Sequence, residues 1–440
     1  MLMGFIKDAW RQREGVLVLF LDVKGAFPNT VPEVLAHDMW RYGIPREYTD
    51  NYTSKPIPVD NGFDQGCNLA MYRYRFYNAS QIEGSIGKKD ELATNLTDDA
   101  ACTTSAKTLE EAAEKMRVLF QRVGGPAIWG HTHFSVYKFC KFTAMWMSRM
   151  RLEIIDQEGR KRRIKHPPTR IRIDDEHEVT TTSSHKFLSV ILNDKLWFQK
   201  HAAYALRKGE RWISQIKRLS KVTKEMHGAH ARRLYYSVTI PSMLYAVDVW
   251  CPQPANSLNS RRKGGMRAAI QKMETVQRKA TLLVTGALRT TPSDLLFAHA
   301  NMLPLRYHIK LICHGSALHI ATLPKEHPLH VMARQAMGRR LCRHTSPLYN
   351  ILNSAEIHTN DIEIVNTIAK HPTWRNHIKT IIAKTREEAE QSAKDDESDI
   401  RIYTDGSSHD GRGSSRTHAR NPPSKNCEIP SRKGHQTHGL

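Results

Sequence analysis

Between Val16 and Val23 the chain reads VLVLFLDV, a short and nearly continuous apolar run. Apolar residues without alternation over that length predict a strand buried on both faces. Asp22 interrupts the run near its end. A carboxylate there needs a partner or a cation, because burying an unpaired charge is costly. The segment VPEVLAHDMWRYGIP predicts a helix stopped by Gly43 and Pro45. After a polar, turn-rich stretch comes NGFDQGCNLAMYRYRFYNA, whose second half predicts another helix. TLEEAAEKMRVLFQRVGG is the best-marked helix: Thr108 caps it, Glu110 and Glu111 sit in its first turn, and Gly124 ends it. LEIIDQEGRKRRIK and TRIRIDDEHEV predict strands around a basic turn, and SSHKFLSVIL predicts one further strand.

From His201 to Lys221 a helix is expected, with Leu206, Ile213, Ile216 and Leu219 as its apolar stripe. Arg207, Arg211, Arg218 and Lys221 lie largely elsewhere on that helix. From Arg232 to about Lys384 the pattern is mostly helical and basic. AKTREEAEQSAKDDESD reads as a charged linker, and RIYTDGS as a short strand ending in a turn. The tail beyond it has almost no apolar residues and is expected to be disordered.

Composition adds a partner class. The chain has 440 residues, a length that suggests two or three domains, and its 40% hydrophobic content is ordinary for a globular core. Lys and Arg number 66 against 44 Asp and Glu, a formal net charge of +22. A surplus that large favours a polyanion, most commonly nucleic acid. An anionic membrane surface is the weaker rival, because the basic residues are spread along the chain instead of forming one amphipathic face. No apolar run is long enough to predict a membrane span, and no secretory leader is recognisable. The seven cysteines are scattered without a Cys-x-x-Cys pair, which predicts reduced thiols and an intracellular protein of the nucleus or cytoplasm, not a secreted one. The histidine-rich segment HPLHVMARQAMGRRLCRH has irregular spacing and is expected to be a basic helical surface, with zinc as the lesser alternative.

The stretch TNLTDDAACTT places Asp98 and Asp99 side by side, with no Lys or Arg from Thr94 to Ala106. Two alternatives stand here: a solvated turn, which Asp favours, and a cation site, since hard divalent ions want clustered carboxylate oxygens. Polymerising nucleotides uses two such ions about 3.5–4 Å apart, so their ligands must converge from separate strands. A strand ending in Asp22 and a hairpin tip carrying Asp98 and Asp99 would supply that convergence.

In order along the chain, several motifs resemble those of reverse transcriptases. FLDVKGAF is similar to the first catalytic motif, an Asp on a strand followed by Ala-Phe. NGFDQGCNLAMYRYRFYNA resembles the Gln-Gly motif, and NLTDDAAC the Asp-Asp motif. HFSVYKFCKF resembles the lysine motif, and HKFLSVILNDKLWFQKH the motif in which the family commonly reads Tyr-Leu-Gly-Val. AWRQREGVLVLFLDVKGAFPN, RRLYYSVTIPSMLYAVDVW, VTGALRTTPSDLLFAHANMLPL and TLPKEHPLH look like LINE-type (non-LTR) retrotransposon polyproteins, and RIYTDGS like the first strand of the ribonuclease H domain that often follows.

The resemblance implies an α/β palm with an antiparallel sheet and packed helices over residues 1–200. It implies a helical thumb and connector over 201–384, a linker over 385–400, and a truncated ribonuclease H start with its tail over 401–440. It implies RNA-directed addition of deoxynucleotides to a primer 3′-OH, with two Mg²⁺ ions or Mn²⁺ in their place. The partners would be an RNA template, a DNA primer and deoxynucleoside triphosphates. By the same resemblance Asp22 and Asp98 would bind the metals with Asp99 assisting. Phe27 would exclude a ribose 2′-OH, and Gln65 and Gly66 would line the nucleotide pocket. Lys138 would approach the leaving pyrophosphate, and Asp405 matches the first ribonuclease H ligand. Arg207, Arg211, Arg218 and Lys221 would grip the duplex by its phosphates.

The chain departs from the pattern in five places. The upstream fingers region and the endonuclease domain are expected to be missing, and the segment between GIPREYTD and NYTSKPIPVDNGFDQG is short. Asn68 and Ala70 replace the Pro and Ser that commonly follow Gln-Gly, and Asn95 replaces the usual aromatic or apolar residue before the catalytic turn. Beyond Asp405 the only acidic residues are Asp410 and Glu428, so ribonuclease H activity is expected to be absent. Two alternatives therefore stand beside the polymerase: a non-catalytic nucleic-acid-binding remnant of a retroelement, and a ribonuclease H protein.

Overall fold

The computed structural model describes residues 1–46, 62, 68–155, 161–164, 166–222, 226–252, 265–337, 343–357, 362–365, 385, 391, 401–409 and 412–420. The chain divides into two units, Met1–Ile368 and Ala369–Leu440.

The first unit mixes helix and antiparallel sheet. Helix α1 (Leu2–Arg11) is an addition to the predicted elements; it buries Leu2, Ile6, Ala9 and Trp10, which share one face at helical spacing. Strand β1 (Gly15–Asp22) is the predicted apolar run. It is an inner strand of a four-stranded sheet in the order β2-β3-β1-β4, where β2 is Glu91–Leu96, β3 is Asp99–Ala106 and β4 is Thr143–Met147. All three pairings are antiparallel. Successive side chains of a strand point to opposite faces. Val16, Val18 and Phe20 accordingly enter one core together with Ala101, Met145 and Met147. Leu17, Leu19 and Leu21 enter another with Ala100, Cys102, Ala144 and Trp146.

Helices α2 (Pro32–Arg41), α3 (Asn68–Tyr77), α4 (Leu109–Gln121) and α5 (Pro126–Thr132) contribute to the second core, through residues such as Leu35, Tyr74, Met116 and Trp129. Gly43, with φ +87°, follows α2 in the left-handed conformation that suits glycine at a helix C-terminus. The Thr108 hydroxyl caps α4 by accepting from the Glu111 N–H at 3.2 Å, as predicted.

Beyond β4 lie three hairpins: β5 (Leu152–Ile155) with β6 (Lys161–Ile164), β7 (Arg170–Arg172) with β8 (Glu178–Thr180), and β9 (Ser184–Phe187) with β10 (Val190–Asn193). The single strand expected over SSHKFLSVIL is thus two. Leu188 and Ser189 both adopt positive φ, 46° and 63°, and reverse the chain in two residues.

The rest of the unit is helical: α6 (Gln199–Val222), α7 (Gly228–Leu234), α8 (Gly265–Thr285), α9 (Ser293–His299), α10 (Leu305–Ala321), α11 (Pro328–Met337) and α12 (Pro347–Ser354). On α6, Ile213 and Ile216 are buried and Leu206 packs against the first core, but Leu219 is 52% exposed, so the apolar stripe ends one turn early. The first core runs from Leu2 to Ile357, joining α1, one sheet face and these helices. No helix among the described residues is long and apolar enough to cross a membrane.

In the second unit β11 (Arg401–His409) pairs antiparallel with β12 (Arg412–Arg420). The strand is longer than RIYTDGS, and paired backbone extends to Arg420, where disorder was expected. A backbone ladder satisfies its own N–H and C=O groups and does not require apolar side chains. Asp405 lies opposite Arg416 in this register.

Candidate functional site: carboxylates at one end of the central sheet

β1 ends at Asp22 and β3 begins at Asp99, and the two are direct partners across the antiparallel pair. Directly opposed residues carry their side chains on the same sheet face, with Cβ atoms about 4.5–5.5 Å apart. By alternation that face is the one carrying Phe20 and Ala101, the face of the first core. Asp98 and Thr97 form the two-residue turn between Leu96 and Asp99. Asp98 and Asp99 are exposed, and the Asp22 side chain retains 37% of its exposure. The Asp99 carboxyl titrates above its ordinary 3.8, because of partial burial first and then the charges of Asp98 and Asp22. Asp99 therefore feels the charge of both other carboxylates.

The turn is held under constraint. Thr97 is β-branched yet sits at φ +59°, a conformation that costs energy unless its surroundings impose it. The side-chain amide of Asn78, which is 2% exposed, donates to the Thr97 carbonyl. The Asn95 side-chain amide in turn donates to the Asn78 carbonyl at 2.6 Å. Asn95, a departure at the sequence level, thus has a structural use. Asn78 is a site residue that the motif reading does not single out; its only signal is a polar residue closing the amphipathic segment YRYRFYN.

The lysine motif lies alongside. The Lys138 N–H donates to the Asp22 carbonyl at 2.9 Å, and the Lys24 N–H to the Val136 carbonyl at 2.8 Å. Lys138 itself is exposed, whereas Lys141 Nζ approaches Asp22 Oδ2 at 3.3 Å and Oδ1 at 3.5 Å. The motif HFSVYKFCKF holds both lysines, and the sequence alone does not say which one reaches the carboxylate.

Phe27 packs its ring 5.2 Å from that of Tyr74 on α3. The Tyr74 hydroxyl is pushed up by burial, then by Tyr77 and by the Asp98 charge, which ties this aromatic pair to the Asp-Asp turn. Gln65 and Gly66 lie outside the described residues. The β9–β10 hairpin covers the sheet face of Asp22: His185 stacks on Phe20 at 4.3 Å, and Phe187 lies 5.0 Å from it. His201, at the start of α6, secures this hairpin by accepting from the Ile191 N–H at 3.1 Å through Nδ1. Burial, with Lys208 second, lowers the His201 pKa from 6.5 to about 4, so the imidazole is a neutral acceptor.

On α6, Arg207, Arg211 and Arg218 are exposed. At 3.6 residues per turn they lie within about 40° of arc, one line along the helix surface. Lys221 belongs to the same helix, and its side chain is outside the described residues. Asp405 belongs to the second unit.

Among the described residues no three His, Cys, Asp or Glu side chains form a ready metal site. The donor chemistry of Asp22, Asp98 and Asp99 nonetheless suits a hard divalent cation: acidic oxygens, solvent-open, with a mutual repulsion that a cation relieves. Lys141 offsets part of that charge. Elsewhere, buried Asp38 and His133 pair at 2.9 Å, and Ser80 Oγ lies 3.4 Å from the same Nε2. One ring nitrogen serves both contacts, so this trio is not arranged as a nucleophile relay, in which the acid and the serine use opposite nitrogens.

The chain matches no protein-family model and no curated protein sequence.

Proposed function

We propose that the chain is an RNA-directed DNA polymerase of LINE-type retrotransposon character, its first unit containing a reverse-transcriptase palm. One observation carries the reading: Asp22 and Asp99 are opposed across two inner strands, with Asp98 in the adjoining turn. The ordered motifs of the sequence support it. So does the β9–β10 hairpin on the carboxylate face.

Asp22, Asp98 and Asp99 would hold two Mg²⁺ ions. Such ions lower the pKa of the primer 3′-OH and neutralise the triphosphate. The protein's part is placement. The β1–β3 register fixes Asp22 against Asp99, Asn78 holds the turn, and Lys141 supplies positive charge beside Asp22, where pyrophosphate would leave, with the Lys138 backbone N–H bonded to the Asp22 carbonyl. Phe27 on Tyr74 would form the wall that a ribose 2′-OH meets. Arg207, Arg211 and Arg218 would track phosphates along α6, a contact blind to sequence, as a polymerase requires.

The second reading is a non-catalytic nucleic-acid-binding remnant, favoured by the Lys141–Asp22 ion pair, which competes with a cation for that carboxylate. Primer extension on poly-A with oligo-dT, with Mg²⁺ or Mn²⁺, separates the two. Extension by the wild type and none by Asp98→Ala supports the polymerase. Silence from both, with template binding intact, supports the remnant.

A further inference from the structure

At the other end of β1 the structure gathers cations and indoles that the carboxylate site does not use. Val16 pairs with Met147, so β4 ends beside the start of β1, seven residues and about 23 Å along the strand from Asp22. The Trp10 indole N–H donates to the Met147 carbonyl at 2.9 Å and fixes α1 there. Lys7 Nζ lies 4.8 Å from the Trp10 ring and the Arg149 guanidinium 4.6 Å from it. The Arg149 guanidinium also lies 5.9 Å from the ring of Trp197, and Lys195 Nζ 5.3 Å from that ring. Arg149 donates to the Lys195 carbonyl at 2.9 Å, so the two cations are held together.

Trp197 is a 51% exposed indole with two cations near its ring. It borders a cavity of about 600 Å³ that Lys7, Arg267 and Arg306 also line. Opposing charge is sparse: Glu274 sits 3.8 Å from Arg306, and Asp194 acts on Arg149. The crowding is visible in the titrations. Burial and then Arg149 bring Lys7 from 10.5 to about 8. His344 is lowered by burial and then by Lys7, Arg149, Arg11 and Arg343. Positive charge gathered this closely favours an anionic ligand.

We propose that this cluster is a second nucleic-acid contact, a platform where a single-stranded segment stacks a base on Trp197 and lays its phosphates on Lys7, Arg149 and Lys195. Only an unstacked base can offer its face to an indole, so the partner is a single strand, not a duplex. The concave wall and the isolated exposed ring fit a strand better than a bilayer, which calls for one broad amphipathic helix face. The inference rests on the proposed function only in requiring that the chain meets nucleic acid. It does not require the carboxylates to be catalytic.

The test is fluorescence anisotropy of the full chain with a labelled single-stranded RNA of about 20 nucleotides, titrated across salt, with circular dichroism to check folding. Trp197→Ala should weaken binding about tenfold and leave duplex RNA of the same length nearly unaffected. Arg149→Ala with Lys195→Ala should flatten the log–log salt slope by about 1.4, at about 0.7 per lost phosphate contact on a single strand. Arg149→Lys, which keeps the charge, should restore most of the slope. Wild-type affinity and slope in folded Trp197→Ala and Arg149→Ala/Lys195→Ala proteins would overturn the proposal. Absence of binding by the wild type would do so too, as would variants that lose only their binding to vesicles of phosphatidylserine and phosphatidylcholine. Asp98→Asn should bind RNA like the wild type, so a failed polymerase reading shows in extension and a failed platform shows in binding.

Discussion

Replacing Asp99 with Asn removes a charge that the fold itself opposes. Asp99 faces Asp22 across the strands and follows Asp98 in the chain, and its carboxyl is raised by partial burial and by both neighbours. Two charges about 5 Å apart repel by about 0.8 kcal/mol in a water-like dielectric and about 3 kcal/mol at an effective value of about 20. The site is exposed and salt screens it, so the lower end applies. Asp99→Asn should therefore stabilise the protein by about 1 kcal/mol at neutral pH, a rise of about 1–2 °C in melting temperature for a unit of this size. The pH dependence has a definite sign. A carboxyl raised in the folded state destabilises once both states are ionised, and that penalty disappears below the unfolded value of 3.8. The two proteins should converge as pH falls towards 3.8 and separate as it rises. Urea unfolding followed by tryptophan fluorescence, at both pH values and at low and high salt, measures this. Magnesium at about ten times its dissociation constant should add about 1.4 kcal/mol to the wild type and less to the variant. A variant less stable than the wild type at neutral pH, or an advantage indifferent to pH and salt, would refute the electrostatic picture.

Three further outcomes are expected. Protonating buried His201 should cost the β9–β10 junction about 3 kcal/mol; because its folded pKa is depressed, that stability is complete above 6.5, lost as pH falls towards about 4, and absent as a slope in His201→Gln, read by urea midpoints against pH. Arg122→Met leaves the Glu91 carboxylate, whose side chain is 7% exposed, with Lys88 Nζ at 3.7 Å as its remaining cation, and should cost about 3 kcal/mol in denaturant titration; adding Glu91→Gln should recover part of it. Asn78→Ala leaves the Thr97 carbonyl without its amide and should cost about 1–3 kcal/mol; primer extension should fall far more than template binding, and equal falls in both would show that Asn78 supports the fold without positioning the turn.

The elements that were legible in the sequence are those whose pattern is local. VLVLFLDV announced an inner strand because both of its faces are buried, and Thr108 announced α4 because its cap is satisfied within one turn. Helix α1 was legible in principle, since Leu2, Ile6, Ala9 and Trp10 repeat at helical spacing, but its polar positions obscure a short stripe. The β9–β10 reversal was hidden because Leu188 and Ser189 are not residues that advertise positive φ. That Asp22 meets the Asp98–Asp99 hairpin was expected from the sequence, but its register opposite Asp99 was not, and the choice of Lys141 over the expected Lys138 depends on a short 3-10 turn, Phe139–Lys141. Asn78 and the Trp197 platform are assembled from segments far apart in sequence, and no local spacing records them.

β1 is shared by two separate cores, odd-numbered leucines on one side and Val16, Val18 and Phe20 on the other. A loosened core on either side would therefore let the strand shift or roll, moving Asp22 out of line with Asp99. Heat or a cavity-forming substitution in the remote helical half should then misalign the acidic residues before the chain as a whole melts. The carboxylate cluster would behave as a strain gauge for both halves of the unit.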